Sequence, residues 1–536
     1  MKIKGLLISM LACTALVGCN NENETEVDNP ILDGGKAYMS VQIALPSNGF
    51  SSRGDNTADG DYSVGSDVEH AISSIQFVFY NGDGTFNTLG ELLTNVSDAN
   101  QTGVVNVEAI ANAVVALKSG ETFPSQVVAY VNIPDAKNIF NNTSLTDAYK
   151  KVADLTNGTV DATEGKFMMT SSTYYNNKVI TATPVEVTDF YETEALAKNS
   201  TNPVEIYVER LAAKVSITDK ASNTAGAIED VKDRVGNTLK FKVTGFALNG
   251  KNTKSYYLKN IDNYNFTTGT SGNWNIAWNN VNDYRCFWAT DPNYDNASGL
   301  KYFSYNDIVG SATTAPSNKV EYCLENTLTV ATYETNKAAA TNVTIVGQYD
   351  LYDKDGNQLE WEDFYYYNDQ IWQENELIEE MADKSKYVYK DANGNLLEAS
   401  NYQLKRVGES GDDVTLGVKD GVTVYVKTND GSYAASDLAT VNTALASLVG
   451  SADKYDQRTA HFDVAIEHFG KDGFDGQVGV VRNHWYEFSF NSIKNLGEGN
   501  YDVGEEIIPS HEETTYYVGA RLNILSWKKV TQNAEL

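Results

Sequence analysis

The chain is short of cysteine, proline, methionine and positive charge, and each shortage closes off a class of structure or function. Among its 536 residues are four Cys, nine Pro and six Met, and 41 Lys and Arg stand against 72 Asp and Glu for a formal charge of −31. Nucleic acids and anionic lipid surfaces are held by basic patches, so neither is an expected partner. Cys13 and Cys19 lie in the leader, which leaves Cys286 and Cys323 for the folded part. Spacing leaves open whether those two pair, and stability has to come from hydrophobic packing, not from a disulfide framework.

Signatures of catalysis are also scarce. The five histidines are His70, His461, His468, His484 and His511, and none falls in a His-Glu-x-x-His arrangement. The chain has no Gly-x-Ser-x-Gly elbow, no phosphate-binding loop and no paired-cysteine metal spacing. Carboxylate pairs for glycoside hydrolysis could converge in many ways, and nothing in the sequence selects one. No catalytic residue, cofactor or metal ligand is therefore expected, and the chain does not read as an enzyme. Asp353 to Asn357 and Asp391 to Asn395 look like calcium loops, but the glycine is misplaced for an EF-hand. Asp-Gly and Asn-Gly are favoured hairpin turns, which is the simpler reading.

What is present begins with the leader. Lys2 and Lys4 precede an apolar run from Gly5 to Val17 that closes on Leu16-Val17-Gly18-Cys19. That pattern is a secretory signal over residues 1–18 ending in a lipobox, with Cys19 as the lipidated residue and a membrane-tethered precursor as the result. The run is too short to span a bilayer. Residues 19–53 read as a propeptide. An acidic, polar leash (Asn20 to Pro30) leads into a strand in which Met39, Val41, Ile43 and Leu45 alternate with polar or small residues up to Pro46. The following Gly/Ser/Asp loop holds Arg53, the first arginine of the chain, and the next is Arg210. A lone arginine in such a loop is a site for a trypsin-like protease, whose cut would leave Gly54 as the new N-terminus. Arg53-Gly54-Asp55 spells an integrin-type tripeptide, which loops of this composition often produce by chance.

Beyond the propeptide the chain reads as mainly β with a few helices. Tyrosine is abundant (33), and Gly, Asn and Asp punctuate short apolar runs. Strands are expected at Ile72 to Tyr80, Val127 to Ile133 and Val204 to Ile217. Helices are expected at Val107 to Leu117, Ser144 to Leu155 and Ser436 to Val449, where Leu438, Val441, Leu445 and Leu448 recur at helical spacing. A polar stretch from Thr218 to Asn237 is the expected boundary between a first domain at 54–225 and a second at 226–536. The second is large for a β-sandwich, so an insertion is expected near Gly347 to Ala460, including a possible helix in Trp361 to Ala382. No repeat of fixed period is present.

Four segments carry a family resemblance: Phe167 to Ser172, Val208 to Val215, Tyr322 to Thr327 and Val480 to Tyr486. With the lipobox and the cleavable Arg53 they span nearly the whole chain, and together the chain resembles the FimA-like subunits of Bacteroidales type V pili. The resemblance implies two transthyretin-like β-sandwich domains, lipoprotein export to the outer membrane, maturation by an arginine-specific protease, and head-to-tail polymerisation by donor-strand exchange. It also implies a cell-surface fimbria that supports adhesion and biofilm formation. Its partners would be identical subunits, accessory or anchor fimbrial subunits, and host or bacterial surface receptors.

The two ends suit that mechanism on physical grounds. Removal of Met39, Val41, Ile43 and Leu45 from a sandwich would open an apolar groove with unpaired strand edges, a template for an incoming strand. At the other end Val530, Ala534 and Leu536 face one way, with Gln532 the polar exception, which makes the C-terminal segment a candidate donor whose contact would be heterologous and non-closing. The competing reading is that this segment completes its own sheet. An accessory, anchor or tip pilin, or a monomeric glycan-binding surface lipoprotein, are the alternative functions.

Overall fold

The structure is a computed structural model that describes residues 36–46, 62–63, 66–69, 71–94, 96, 107–118, 123–155, 167–176, 179–220, 226–227, 236–261, 289–295, 298–310, 316–385, 389–409, 411–468, 478–493, 496–509 and 527–535. Cys19, Arg53, Gly54, Cys286 and Leu536 lie outside the described residues.

The fold is mainly β, in two sandwich-like units with a lobe inserted in the second. In the first unit, β1 (Lys36–Pro46) buries Ala37, Met39, Val41 and Ile43 and leaves Tyr38, Ser40 and Gln42 partly exposed, the period of two of a strand with one face on a core. The unit also contains β2 (Ile75–Tyr80), β3 (Val107–Lys118), β4 (Gln126–Val131), β5 (Met169–Ser171) and β6 (Val204–Arg210). One edge of β1 runs antiparallel to β3 from Lys36↔Lys118 to Pro46↔Val107. The other edge runs parallel to the first half of β6, from Val41↔Val204 to Ala44↔Tyr207. The second half of β6 pairs with β5, which continues through β4 to β2. A single strand thus serves both sheets, and Phe77, Phe79, Val115, Val127 and Ile206 pack with the β1 side chains between them.

The chain crosses to the second unit at Leu211, ahead of the polar stretch Thr218 to Asn237. Strands β7 (Ala212–Asp219), β8 (Thr238–Asn249), β9 (Asn318–Leu324), β10 (Asn342–Tyr352), β11 (Thr459–Ala465), β12 (His484–Ser492) and β13 (Trp527–Glu535) build it. One sheet has the order Tyr62–Ser63, β13, β12, β7, β9; the other contains β8, β10 and β11. Val215, Ile217, Phe241, Phe246, Ile345, Phe462 and Phe488 fill the space between.

The lobe leaves after Tyr352 and returns at Thr459, on strands that are antiparallel neighbours, so the insertion leaves the sandwich ladder intact. It has a five-stranded sheet of its own and two helices, α1 (Glu374–Ser385) and α2 (Leu438–Val449), around Leu377, Met381, Leu416, Val441 and Leu445.

Several local expectations are corrected. Val107 to Leu117 is not a helix but β3: its apolar residues meet the full length of β1, and cross-strand packing overrides the helical spacing of Ile110, Val114 and Leu117. Within Ser144 to Leu155 only Leu145–Ala148 is helical, capped by the Ser144 side chain, and Val152–Asp154 pairs with Lys254–Tyr256. Trp361 to Ala382 contains a hairpin (Phe364–Tyr367 with Gln370–Trp372) before α1 begins. Helix α2 forms where expected, capped by Asp437, but it buries Val449 and leaves Leu448 exposed. Asp353 and Asp391 each accept backbone N–H groups from their own turns, including those of Asn357 and Asn395, both at 2.8 Å. Gly356 and Gly394 there have φ of 85° and 84°, the left-handed conformation these turns require.

Gly347 on β10 lies opposite Val243, where β8 bulges. A Cβ at this position would run into the Phe241 ring and lie 2.5 Å from the backbone oxygen of Lys242. Gly347→Ala should therefore destabilise the chain by about 1–3 kcal/mol, read from the urea midpoint; an unchanged midpoint would mean that the two strands separate freely at the bulge.

Candidate functional site

The region that suits assembly consists of the β1 slot, the junction between the units, and the C-terminal strand. β1 lies between β3 and β6, so its backbone is bonded on both edges and its inward side chains are wholly buried. Burial of a side chain such as Met39, Val41 or Ile43 contributes roughly 1.5–3 kcal/mol each, before ladder hydrogen bonds are counted. The backbone of Leu45 pairs with Glu108 in the same ladder.

The junction is built from buried charge. The Arg210 side chain is 1 % exposed; its Nε donates to the Glu69 carbonyl at 2.6 Å and its Nη1 to Asn483 Oδ1 at 3.0 Å. The Glu69 carboxylate takes Lys214 Nζ at 2.8 Å and the Tyr322 hydroxyl at 2.6 Å. Next along β6, Glu209 pairs with Lys259 at 2.8 Å, both buried. Arg482 meets Glu325 through Nη2 at 3.1 Å, donates Nη1 to the Tyr257 carbonyl at 3.1 Å, and donates Nη2 to the Tyr256 carbonyl at 2.8 Å. The Thr170 hydroxyl donates to the same Tyr257 carbonyl at 2.8 Å, and Leu211 N–H donates to the Met168 carbonyl at 3.0 Å. Asn483, in the left-handed region at φ 59°, donates its N–H to Ala212 at 2.7 Å.

All four sequence segments that carry the family resemblance meet at this junction. Their charged and polar residues are structural partners, and none is arranged as a catalytic group. Burial alone would raise the Glu69 pKa, but Lys214 and Tyr322 outweigh it and hold the carboxyl below its ordinary value. The Cys323 thiol is buried, and desolvation pushes it up to about 12, which makes it inert at neutral pH. Sequence reasoning missed Glu69 and Lys259, because a charged residue gives no local sign of its distant partner.

The C-terminal segment is placed on its own chain. β13 runs parallel to β12, with Tyr486↔Val530 and Phe490↔Ala534, and its other edge is antiparallel to Tyr62–Ser63. β13 thus pairs within its own chain, and without it the edge of β12 would lack its partner. A donor role requires this pairing to be exchanged for another.

No protein family matches the chain, and no curated protein matches it. Solved structures do, at a distance. The tip fimbrial protein Mfa3 from Porphyromonas gingivalis with a C-terminal truncation is similar over 60% of this chain and 80% of its own, at 11% identity and a TM-score of 0.27. A fimbrial assembly protein from Parabacteroides distasonis matches over 75% of this chain and 100% of its own, at 12% identity and a TM-score of 0.28. The fimbrial anchor protein Mfa2 from Porphyromonas gingivalis matches over 60% and 80%, at 9% identity and a TM-score of 0.21. Likeness of this order places no function on the chain.

The depressed Glu69 pKa has a consequence for acid stability. A carboxyl lowered in the folded state contributes stability above its unfolded value, 4.5 for a free glutamate, and loses it as pH falls through the folded value. Urea midpoints of wild type and Glu69→Gln, taken from pH 7 to pH 3, should therefore converge below about pH 4.5. Parallel curves across that range would show that Glu69 titrates alike in both states.

Proposed function

We propose that this chain is the structural subunit of a surface fimbria, exported as a lipoprotein on Cys19, cut after Arg53 by an arginine-specific protease, and polymerised by strand exchange. Within the FimA-like family its segments resemble most closely the major subunit of the short (minor) fimbriae of Porphyromonas, which favours a shaft role over an anchor or tip role. The observation that carries the reading is β1 itself. It is a doubly paired strand with its inward side chains Ala37, Met39, Val41 and Ile43 fully buried, and it belongs to the N-terminal segment ahead of Arg53. A cut after Arg53 severs β1 from the body, while Glu69 stays fastened to the junction by Arg210, Lys214 and Tyr322. The vacated groove offers the edges of β3 and β6 and an apolar floor, the requirement for strand addition. In the donor, Val530, Ala534 and Leu536 supply the inserted side chains, with the next subunit as partner and no ring closure. Accessory or anchor subunits would complete the fibre, and surface receptors would bind along it.

Two experiments test this. Mature protein taken from the cell surface should begin at Gly54, and Arg53→Ala should leave the lipoprotein exported but almost entirely monomeric. A mature N-terminus at lipidated Cys19 in assembled fibres would end the proposal.

The second concerns the tail. A chain ending at Ser526, treated with an arginine-specific protease, should give no polymer ladder. Because β13 completes its own sheet, the unprocessed form should also melt several degrees below the full-length chain. Equal ladders would remove the donor assignment, whatever the melting temperature does.

A further inference from the structure

A cluster outside the assembly region has the arrangement of a cation site. His461 and Asp463 are two residues apart on β11, so their side chains share the face opposite Phe462 and Val464, which point into the sandwich core. Glu498 sits on a short strand paired to that edge, directly across from His461. His461 Nε2 lies 3.4 Å from a carboxylate oxygen of Asp463 and 3.4 Å from one of Glu498. All three atoms fall within 4.8 Å of one another.

A hydrogen-bond relay orients the imidazole. The Thr459 hydroxyl donates to the Asp456 carbonyl at 2.7 Å, and Asn500 Nδ2 donates to the Thr459 oxygen at 3.0 Å. That fixes the Asn500 amide so that its Oδ1 faces His461 Nδ1 at 3.2 Å, and Nδ1 must then carry the proton. In the neutral ring the Nε2 lone pair points at two carboxylates, which is repulsive unless something positive lies between them. Thr344 donates to one oxygen of Asp463, whereas Asp463 Oδ2 is buried and receives no hydrogen bond among the described residues. An Nδ1–H bonded to an amide oxygen, which turns Nε2 toward the two carboxylates, is the arrangement by which proteins orient a metal-ligating histidine.

Charge and distance point the same way. Asp412, from the inserted lobe, adds a third carboxylate close to His461 and Glu498, and its Oδ2 accepts from Gly499 N–H at 3.0 Å. Beside these three carboxylates, a dication with a neutral ring carries one positive charge more than a single imidazolium does. Bonds of about 2.0–2.1 Å in a tetrahedron set ligand atoms roughly 3.3 Å apart, close to the two separations at His461.

We propose that His461, Asp463 and Glu498 form a binding site for a divalent transition-metal ion of the zinc type. The imidazole disfavours calcium and magnesium, which take all-oxygen shells. The site joins β11 of the second sandwich to the root of the lobe. Asp412 belongs to that root, and its carbonyl also accepts from Lys454 N–H at 3.0 Å. The sequence hides the site because its ligands follow strand spacing and Glu498 arrives from a separate segment.

The test uses the full chain, stripped by a chelator and then titrated with Zn2+ or Co2+. One Zn2+ should bind per chain and raise the melting temperature by several degrees at about a hundredfold excess over its Kd. Co2+ should give the visible d–d absorption of a low-symmetry, four-coordinate site. Glu498→Gln, at the partly exposed rim of the cluster, should keep the fold and weaken Zn2+ by at least about tenfold, with Asp463→Asn doing the same. Asp391→Asn, in a remote turn, should change nothing. Equal melting with chelator and with Zn2+, and no Co2+ absorption, would overturn the proposal in favour of an imidazolium bridging two carboxylates. Binding that survives both variants would overturn it as well, since the ion would then lie elsewhere.

Discussion

The arrangement of the whole molecule depends on the buried charge at Leu211, where the chain passes from β6 into β7. Arg210 and Arg482 are among the largest fully buried side chains of the protein; Arg210 is hydrogen-bonded by the Glu69 carbonyl and the Asn483 amide oxygen, and Arg482 is paired with Glu325, all from distant parts of the sequence. Desolvation of an arginine and a carboxylate costs several kcal/mol per ion, so these pairs add little net stability compared with a hydrophobic core. Their effect is directional. A buried guanidinium with one partner displaced is costly enough that few other placements of the two units remain accessible. Tyr256 and Tyr257 from the second unit and Met168 and Thr170 from the first are bound into the same seam. A subunit of a fibre under tension would need such a junction, because a hinge there would let each unit yield separately.

The strand pairing would let the two ends exchange roles, as the proposed assembly requires, without refolding the rest. β1 lies between β3 and β6, yet β6 also anchors the second sheet through β5. Loss of β1 opens one slot while β6 stays held from its other half. β13 is bonded to β12 and, among the described residues, pairs on its other edge with Tyr62–Ser63. Its departure disturbs the edge of a sheet, not its centre, as a reversible donor requires.

Much of the β architecture could be read from the chain, because half-buried strands write their burial directly into alternation. Met39, Val41 and Ile43 are the plainest case, and Val127 to Val131, buried on both faces, is nearly as plain. Helix α2 was legible from Leu438, Val441 and Leu445 at helical spacing. Val107 to Leu117 was not, since Ala and Val at mixed spacing suit either period, and the choice is made by β1, a partner far away in sequence. The seam around Arg210 was visible only as conspicuous residues. That Glu69, Lys259 and Tyr322 would answer Arg210, Glu209 and Lys214 is a matter of tertiary placement, and no local pattern encodes it. The His461 cluster was hidden for the same reason.

The proposed maturation also has to explain why the intact precursor does not polymerise, and effective concentration answers this. While β1 is covalently attached, it competes for its own groove at a local concentration on the order of millimolar or higher, set by a short tether. A C-terminal strand from another molecule would have to outbid it with comparable contacts and would also lose translational freedom on association. Cleavage after Arg53 leaves the β1 contacts unchanged and removes the tether. Once β1 dissociates it is diluted, and the groove binds whichever strand is held nearest at high concentration. In a growing fibre that strand is the tail of the adjoining subunit. On this proposal the protease would set the direction of assembly through chain connectivity, with no new interaction energy, and the junction at Arg210 would keep the emptied groove in shape until the donor arrives.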